Sequence, residues 1–270
     1  MIDVTPFRIE PGTRVDLSAH DAHSKHDFDG KKRDGRRALP DLTKRLTDLQ
    51  QRLWAESDQS LLIVLQATDT GGKDGTIRHV FRGVNPQGVD VHGFGVPTEE
   101  ELAHDYLWRI HHHTPADGRI AIFNRSHYED VLVVRVKGLV PEERWSRRYE
   151  HIRSFEKILA DEGTTIVKLF LNISKDEQRE RLQARLDEPD KTWKFRRGDL
   201  EDRELWDEYR MAYEEALTRT STEYAPWYVV PANRKWYRNL AVSSILIKTL
   251  EEMDPHYPDA EPGLDEVVIS

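Results

Sequence analysis

A glycine-rich loop with a lysine is the clearest chemical feature of the sequence. It reads Ala67-Thr-Asp-Thr-Gly-Gly-Lys73-Asp-Gly-Thr-Ile77 and follows a short apolar run over residues 61–65. A turn of this kind between a buried strand and a helix directs backbone N–H groups and the positive end of the helix dipole at one point. The side chain of Lys73 would add a full positive charge there. The loop therefore predicts a binding site for phosphate groups.

The loop departs from the common P-loop pattern G-x-x-x-x-G-K-S/T at two positions. Ala67 stands where the first glycine is usual, and Asp74 stands where a serine or threonine usually binds the metal. Asp69 lies inside the loop, where a carboxylate would repel bound phosphates unless a cation such as Mg²⁺ lay between them. We therefore predict that Asp69 is the metal ligand, and Thr76 offers a further hydroxyl nearby. The alternative is an ordinary strand–helix turn with a chance lysine.

A second apolar run, residues 120–123, ends in Asn124-Arg-Ser-His-Tyr-Glu129. In P-loop enzymes the neighbouring strand usually ends in an acid that holds the metal. Asn124 can orient a water ligand there but adds no charge. Arg125 could hold a phosphoryl group through two parallel hydrogen bonds. The alternative for Arg125 and Glu129 is an ion pair between residues i and i+4 on a helix surface.

Apolar runs that alternate with helical patterns must position these residues. Runs at 61–65, 120–123, 165–171 and 227–230 are typical of strands buried on both faces of a parallel sheet, whereas residues 89–96 alternate more and are predicted nearer an edge. The alternation predicts an α/β fold with three layers, a parallel central sheet flanked by helices. The helical patterns cover 73–84, 98–111, 126–136, 141–161, 174–187, 199–219 and 233–251, and a further one begins after Asp41 as its N-cap.

A single main domain is expected, because no linker-like stretch separates two cores. Residues 1–40 are predicted to form an N-terminal arm, residues 41–255 the P-loop domain and residues 256–270 a C-terminal tail. Residues 187–203 combine proline, glycine, aromatic and several basic residues between two helical patterns. A segment of that composition is expected to be exposed and mobile, and it is the best candidate for a lid.

Composition narrows the class of protein. The 270 residues include no cysteine, which excludes disulfides and thiolate sites. No apolar run approaches the roughly 18 residues of a membrane span, and the N-terminus lacks the features of a signal peptide, so a cytoplasmic protein without membrane contact is expected. The formal net charge of −9 disfavours a nucleic-acid-binding protein, so an anionic substrate would require a local cluster of lysine and arginine.

These segments together resemble the polyphosphate kinase 2 family over about residues 40–250. The resemblance implies a thymidylate-kinase-like P-loop fold with a helical lid, Mg²⁺ (or Mn²⁺) as cofactor, and a homo-oligomer such as a dimer or tetramer. The matching segments beside the phosphate loop are Gly83-Val-Asn-Pro-Gln-Gly88, Phe123-Asn-Arg-Ser126, Trp193-Lys-Phe195, Asp199-Leu200, Arg203, Trp206 and Ala225-Pro-Trp-Tyr-Val-Val-Pro-Ala-Asn-Arg-Lys-Trp-Tyr-Arg238.

The residues and the resemblance together predict the members of the site. Asp69, Lys73 and Arg125 would be catalytic, with Asp69 also the metal ligand. The phosphate- or nucleotide-binding residues would be Thr70, Gly71, Gly72, Asp74, Gly75, Thr76, Asn124 and Glu129. The residues of the lid and of a polyphosphate channel would be Arg78, Arg82, Lys194, Arg196, Arg197 and Arg203. The aromatic side chains at i, i+3 and i+7 are predicted to be helix core in preference to a platform for a nucleobase, and they are Trp206, Tyr209 and Tyr213.

The predicted activity is phosphoryl transfer between inorganic polyphosphate and adenine nucleotides, with guanine nucleotides as further candidates, forming ADP or ATP from AMP or ADP. Asn124 stands where many members of the family carry Asp, and it resembles the subgroup associated with AMP as well as ADP. One alternative is a P-loop nucleotide kinase or ATPase that does not use polyphosphate. Another is a non-catalytic module that binds polyanions.

Overall fold

A computed structural model describes residues 1–26, 28–264 and 267–269 of the chain. These residues form one sheet in the order β1-β6-β5-β2-β4-β3, in which β1 is antiparallel to β6 and every other pair is parallel. The central position of β2 places both of its faces and both of its edges inside the protein. The strands are β1 (Arg8–Ile9), β2 (Ser60–Gln66), β3 (Val89–Gly93), β4 (Ile120–Asn124), β5 (Thr164–Asn172) and β6 (Trp227–Pro231).

The predicted strands are confirmed, and one strand was missed. The continuous apolar runs became β2, β4, β5 and β6, and the alternating segment became β3, which lies at the edge of the sheet with Val91 half exposed. β1 has two residues only, too few for a periodic pattern. It joins the opposite edge through the pairs Arg8 with Tyr228 and Ile9 with Trp227.

The helices largely follow the predicted ranges, but three predicted helices are broken into shorter pieces. The 98–111 pattern is interrupted because the Asp105 carboxylate accepts a hydrogen bond from the Leu107 N–H at 2.9 Å, which competes with helix formation. The other two breaks lie in 126–136 and 199–219. The helices are α1 (Lys32–Glu56), α2 (Lys73–Val80), α3 (Glu99–Ala103), α4 (Trp108–His111), α5 (Val133–Val136), α6 (Glu142–Asp161), α7 (Lys175–Asp187), α8 (Gly198–Glu204), α9 (Trp206–Thr220) and α10 (Lys235–Met253).

The predicted N-cap at Asp41 was wrong, because α1 begins nine residues earlier at Lys32. The Asp34 carboxylate accepts a hydrogen bond from the Lys31 N–H at 2.9 Å and so satisfies one of the amides at the start of the helix. Gly35 faces the indole of Trp236 so closely that a side chain would overlap it. The first turns of α1 are therefore held by contact with α10, a tertiary cause that the local sequence pattern does not show.

Two groups of buried side chains complete the three predicted layers. Ile63 and Leu65 of β2 pack with α1, α2 and α10 on one face of the sheet, while Leu62 and Val64 pack with α6 and α9 on the other. This alternation confirms an α/β fold with helices on both faces of the sheet. Within the described residues, none of the helices has the length and apolar character needed to cross a membrane. The ends of β2 and β4 lie at the same edge of the sheet, where the predicted site residues follow.

Candidate active site

The phosphate loop leaves β2 and enters α2 through a strained backbone. Thr70 has a φ of +62° and Gly72, the N-cap of α2, has a φ of +102°. Arg125 follows β4 with a φ of +65° and donates its backbone N–H to the Leu65 carbonyl at 3.1 Å. Non-glycine residues in this left-handed region cost free energy, and they cluster at functional sites. The two strand ends thus bring the loop and Arg125 together, as the sequence predicted.

Lys73 is held inside this loop by a single hydrogen bond. Its Nζ donates to the carbonyl oxygen of Ala67 at 3.0 Å, and the side chain forms no ion pair within the described residues. Burial lowers the pKa of Lys73, and the nearby charge of Arg125 lowers it further, against the opposing effect of three carboxylates. A partly buried cation that forms no ion pair favours the approach of an anion such as a phosphate group.

Asp69 pairs with Arg125 across the mouth of the loop. The Arg125 Nη2 lies 3.2 Å from the Asp69 Oδ1. The hydroxyl groups of Thr68 and Thr70, on either side of Asp69 in the chain, are buried and have no hydrogen-bond partner among the described residues. Unsatisfied buried polar atoms are rare, and their position beside a carboxylate suits a bound ligand.

Hard oxygen donors around Asp69 also fit a divalent cation. The carboxylate and the two threonine hydroxyls are the kind of ligand that Mg²⁺ accepts, and Mg²⁺ commonly takes one or two protein carboxylates together with substrate phosphates. Within residues 1–26, 28–264 and 267–269, no three Asp, Glu or His side chains are arranged to hold a metal ion. A metal at Asp69 would therefore need further ligands from phosphate oxygens or water.

The predicted lid contacts the loop through Asp74. Lys194 approaches the Asp74 Oδ2 at 3.8 Å, and the Asn124 Nδ2 donates to the Asp74 Oδ1 at 2.8 Å. Arg203 donates to the side chain of Gln178 at 3.0 Å. The remaining predicted channel residues are exposed, and they are Arg78, Arg82, Arg196 and Arg197.

Thr76 is the predicted site residue that the structure turns away from the loop opening. Its side chain is buried, and its hydroxyl donates to the Gly72 carbonyl at 3.0 Å, within the first turn of α2. The hydroxyl therefore offers no exposed group to a substrate. Glu129 lies on the Arg125 side of the loop and lines the cavity there.

That cavity also has an aromatic wall. It is lined by Asp69, Arg125 and Glu129 on one side and by residues of α9 on the other. Trp206 and Tyr213 are buried, so the prediction that they are core residues is confirmed. They line the cavity together with Tyr209, the third residue predicted to be helix core, which is only partly buried. Aromatic side chains beside a phosphate site suit the flat ring of a nucleobase.

Three polar residues that hold the loop from behind were missed by sequence reasoning. The Gln178 Nε2 donates to the Asp69 carbonyl at 3.2 Å, and the Arg181 Nη1 donates to the carbonyls of Thr70 and Gly71 at 3.0 Å each. Arg238 donates to the Gly72 carbonyl at 3.2 Å. In a trans peptide the carbonyl and the next N–H point in opposite directions. Carbonyls held behind the loop therefore turn the N–H groups of Gly72 and Lys73 toward the substrate side.

Arg238 is the more unusual of the two guanidinium groups. It is buried and forms no ion pair within the described residues, and burial, aided by the charge of Arg181, lowers its pKa to about 10. Its segment belongs to the resemblance, but an arginine near the start of a helix gives no sign of which backbone carbonyl it will reach. The only available signal was the i, i+3 spacing that places Lys235 and Arg238 on one face at the start of α10.

A buried polar cluster fixes the segment that carries Arg125. Tyr128 donates to the Glu156 carboxylate at 2.8 Å, Lys168 donates to it at 2.6 Å, and His127 lies 3.2 Å from it. All four side chains are fully buried. Removing one partner of such a pair would leave a buried charge unsatisfied, so the cluster constrains the backbone that follows Arg125.

Replacing Gly72 by alanine is expected to lower kcat/KM about a hundredfold. An alanine at φ +102° is strained, and its Cβ would overlap the Arg238 guanidinium that holds the Gly72 carbonyl. Backbone strain of this kind costs about 1–3 kcal/mol, and every 1.4 kcal/mol in the barrier is about tenfold in rate. The measurement is steady-state phosphoryl transfer together with thermal unfolding.

Gly163→Ala is the matched control for Gly72→Ala. Gly163 has a φ of +92° with nothing within 4 Å of an added Cβ, and it lies between α6 and β5, away from the loop. It should lose stability through the same backbone strain and keep its activity. Equal activity losses in the two variants would show that strain alone, without the contact to Arg238, accounts for the effect.

Comparison with known proteins places this geometry in a family. The sequence profile of the family described as polyphosphate kinase 2 matches residues 29–258. The AMP/ADP-polyphosphate phosphotransferase of Meiothermus ruber is 60% identical over 97% of this chain and 98% of its own. The ADP-polyphosphate phosphotransferase of Rhodopseudomonas palustris is 44% identical over 97% of this chain and 94% of its own.

A solved structure agrees with the sequence comparison. The crystal structure of polyphosphate kinase 2 from Arthrobacter aurescens is 45% identical and superposes with a TM-score of 0.94, covering 97% of this chain and 93% of its own. The resemblance that the loop, the second strand end and the lid first indicated is thereby confirmed. The chain belongs to the polyphosphate kinase 2 family.

Proposed function

We propose that this protein transfers a phosphoryl group between inorganic polyphosphate and AMP or ADP, with Mg²⁺ (or Mn²⁺) as cofactor. The observation that carries the proposal is Lys73, a partly buried cation that forms no ion pair with a described residue, in a loop that faces both Arg125 and an aromatic cavity. The names of the most similar relatives, which are polyphosphate phosphotransferases for AMP and ADP, support the same substrates. Adenine is the favoured base, and guanine nucleotides remain candidates.

The residues suggest how the reaction is catalysed. Phosphoryl transfer passes through a loose transition state, so positioning and charge neutralisation do most of the work. Lys73, Arg125 and the backbone N–H groups of the loop bind and orient the transferred group. A cation bound at Asp69 would neutralise charge on the bridging phosphate oxygens. No general base is required, because the attacking phosphate oxygen is already ionised.

The aromatic cavity suggests where the nucleotide binds. Its wall of Trp206, Tyr209 and Tyr213 suits a base, and Glu129 offers an acceptor for an N–H or O–H group of the nucleoside. Polyphosphate would then enter from the side of α2 and the lid, where the exposed arginines lie. This arrangement would allow in-line transfer between the polyphosphate and the nucleotide.

The decisive assay is incubation of the purified protein with Mg²⁺, polyphosphate and either AMP or ADP. Formation of ADP and ATP is the expected result. Absence of product with both acceptors would overturn the proposal and favour a P-loop kinase that uses another phosphoryl donor. Binding of polyphosphate without turnover, unchanged in Asp69→Ala, would instead indicate a non-catalytic polyanion-binding module. The expected homo-oligomer can be checked by light scattering, and the cytoplasmic location by cell fractionation.

Replacing Asn124 by aspartate is expected to lower the Mg²⁺ concentration at half-maximal rate about threefold or more. The Asn124 amide donates a hydrogen bond to Asp74, so in the variant the carboxylates of residues 124 and 74 would face each other. A divalent cation relieves the repulsion between them. The ratio of AMP to ADP turnover in the same variant tests the proposed link between Asn124 and AMP use, and we expect it to fall.

Asn124→Ala serves as the control, since it removes the hydrogen bond to Asp74 without adding a charge. Its Mg²⁺ midpoint should stay near that of the unmodified protein. If the alanine and aspartate variants shift the midpoint equally, the hydrogen bond matters and the charge at position 124 does not.

A further inference from the structure

The densest run of basic residues in the chain lies outside the residues assigned so far. The segment Lys31-Lys-Arg-Asp-Gly-Arg-Arg37 has five basic residues among seven, in a protein whose net charge is −9. It forms the N-cap and first turns of α1. None of these basic residues takes part in the loop contacts described above. Where the segment lies relative to the phosphate loop therefore determines what it can bind.

Two close backbone approaches connect the start of α1 to the phosphate loop. Gly35 of α1 packs directly on the Trp236 ring, and Gly72 of the loop packs directly on the Arg238 guanidinium. Trp236 and Arg238 both belong to the first turn of α10. The beginning of α1 therefore lies at the same end of the molecule as the phosphate loop, and the first turn of α10 contacts both.

A third close approach sets the direction of α1 relative to α2. A Cβ at Gly83, just after α2, would lie 2.8 Å from the Thr43 Cγ2 and 3.0 Å from the Thr47 Oγ1. The phosphate loop thus lies near the level of Gly35 on α1, and Gly83 lies at the level of Thr43 and Thr47. The two helices thus run side by side in the same direction, with their N-terminal ends near the phosphate loop.

Helical spacing then places two of the cations on the side of α1 that faces α2. Arg36 lies seven residues before Thr43, which is close to two full turns or about 10 Å along the axis, and Lys32 lies one turn further back. Gln50 continues this stripe toward the C-terminus, where its side chain accepts a hydrogen bond from the Asn85 N–H. Lys32 and Arg36 therefore share the stripe of α1 that contacts the segment after α2.

Four cations border the resulting groove. Lys32 and Arg36 lie on α1, and Arg78 and Arg82 lie on and just after α2, one helical turn apart. All four are exposed, and none forms an ion pair with a described residue. By contrast, Arg45 and Arg52 further along α1 are both paired with carboxylates. Unpaired cations that are concentrated on two facing helices create a local positive field in an otherwise acidic protein.

We propose that the groove between α1 and α2 is a second binding segment for the polyphosphate chain, in which Lys32 and Arg36 bind phosphates beyond those held by the loop, Arg78 and Arg82. This rests on the proposed function, since it assumes that the polymer reaches the loop. The site takes a linear polyanion and is read by charge, because the four side chains that border the groove are all cations. A single-stranded nucleic acid binds strongly through stacked bases, and none of these four side chains is aromatic.

The test uses the full-length double variant Lys32→Gln/Arg36→Gln. Its matched control is Arg37→Gln/Lys44→Gln, which removes the same charge from exposed, unpaired residues of the same helix on a different face. Binding of long-chain polyphosphate and of tripolyphosphate is measured by calorimetry over a range of salt concentrations. Turnover of long-chain polyphosphate is measured in parallel, with thermal unfolding as the check on folding.

The expected result is a loss of affinity for the long chain of roughly three- to tenfold at low salt in the groove variant only. The slope of log affinity against log salt should fall by about 1.4, the value for two lost phosphate contacts on a single-stranded polyanion. Tripolyphosphate is too short to reach from the loop to Lys32, so its affinity should not change.

Several outcomes would overturn the groove. One is an equal loss of polyphosphate affinity in the groove and control variants. A second is an equal loss of affinity for tripolyphosphate and the long chain in the groove variant, and a third is an unchanged salt slope in that variant. Preferential displacement of long-chain polyphosphate by single-stranded RNA in the unmodified protein would identify a nucleic-acid site instead. The unmodified protein could also bind the polymer through Lys32 and Arg36 and yet show no turnover. That result would support the groove and contradict the proposed enzyme activity, so failure of one proposal can be told from failure of the other.

Discussion

Lys73→Met is expected to lower kcat/KM for phosphoryl transfer about a thousandfold while the protein stays folded. Methionine keeps the length and most of the apolar character of the side chain but removes the charge that faces the phosphates. Removing one preorganised donor to a developing negative charge typically costs about two to three orders of magnitude. The buried face of α2 consists of Thr76 and Val80, so the helix does not depend on Lys73 for packing.

The measurement is steady-state product formation with ADP and polyphosphate, with circular dichroism and thermal unfolding to confirm the fold. Lys157→Met is the control, since it removes a lysine from the surface of α6, where it pairs with Asp161 and lies over the Tyr224 ring. Activity within about threefold of the unmodified protein in Lys73→Met, at unchanged stability, would remove Lys73 from the mechanism.

The lowered pKa of Lys73 adds a pH dependence to the same residue. Burial favours the neutral amine, so the charged form of the free enzyme is lost as the pH rises through a pKa below the ordinary 10.5. We expect kcat/KM to fall on the alkaline side earlier than an exposed lysine would allow. Lys73→Arg should move this fall to higher pH, because a guanidinium stays charged. If kcat/KM falls at the same alkaline pH in both proteins, the fall is caused by the titration of another group.

Asp69→Asn is expected to lower kcat about a thousandfold and to raise the Mg²⁺ concentration needed for half-maximal rate. The substitution preserves size and removes the one charge that lies between the unpartnered hydroxyls of Thr68 and Thr70. A carboxylate within a phosphate loop is favourable only with a cation beside it. A variant that has lost the carboxylate should therefore fail to saturate with Mg²⁺ in the range that saturates the unmodified protein.

A double-mutant cycle separates the two roles open to Asp69. If Asp69 acted only by holding Arg125, to which it is bonded at 3.2 Å, then Asp69→Asn would add nothing in an Arg125→Met background. We expect the two losses to be largely additive, because in the proposed mechanism Asp69 binds the cation and Arg125 the transferred group. Asp90→Asn is the matched control, since Asp90 pairs with Arg119 at the sheet edge, away from the loop. An unchanged Mg²⁺ dependence in Asp69→Asn would contradict a metal-binding role.

The architecture and the centre of the site were predictable from the sequence because both depend on local patterns. Continuous apolar runs predicted four of the six strands, and residues 89–96 predicted the edge strand, since burial on both faces and burial on one face leave different periodicities. The loop from Ala67 to Ile77 predicted a phosphate site because glycines, a lysine and a helix start adjoin one another in the chain. Asn124 and Arg125 could be placed beside it because parallel strands end at the same edge of a sheet.

The supports of the site could be recognised only in the tertiary structure. Arg181 and Arg238 lie more than a hundred residues from the loop carbonyls they bind, and nothing in their local sequence specifies those partners. Thr76 satisfied the sequence pattern but turned its hydroxyl into its own helix. The early start of α1 depends on the contact between Gly35 and Trp236.

The sequence by itself therefore determined the chemistry of this protein, a cationic phosphate loop with an internal carboxylate, because that chemistry is encoded in adjacent residues. Only the tertiary structure decided which distant side chains bind the carbonyls of the loop and which cations border α1 and α2. Those decisions depend on the packing of α1, α2, α7 and α10 against one another. Contacts of this kind join residues far apart in the chain and leave no periodic signal in any one of the helices.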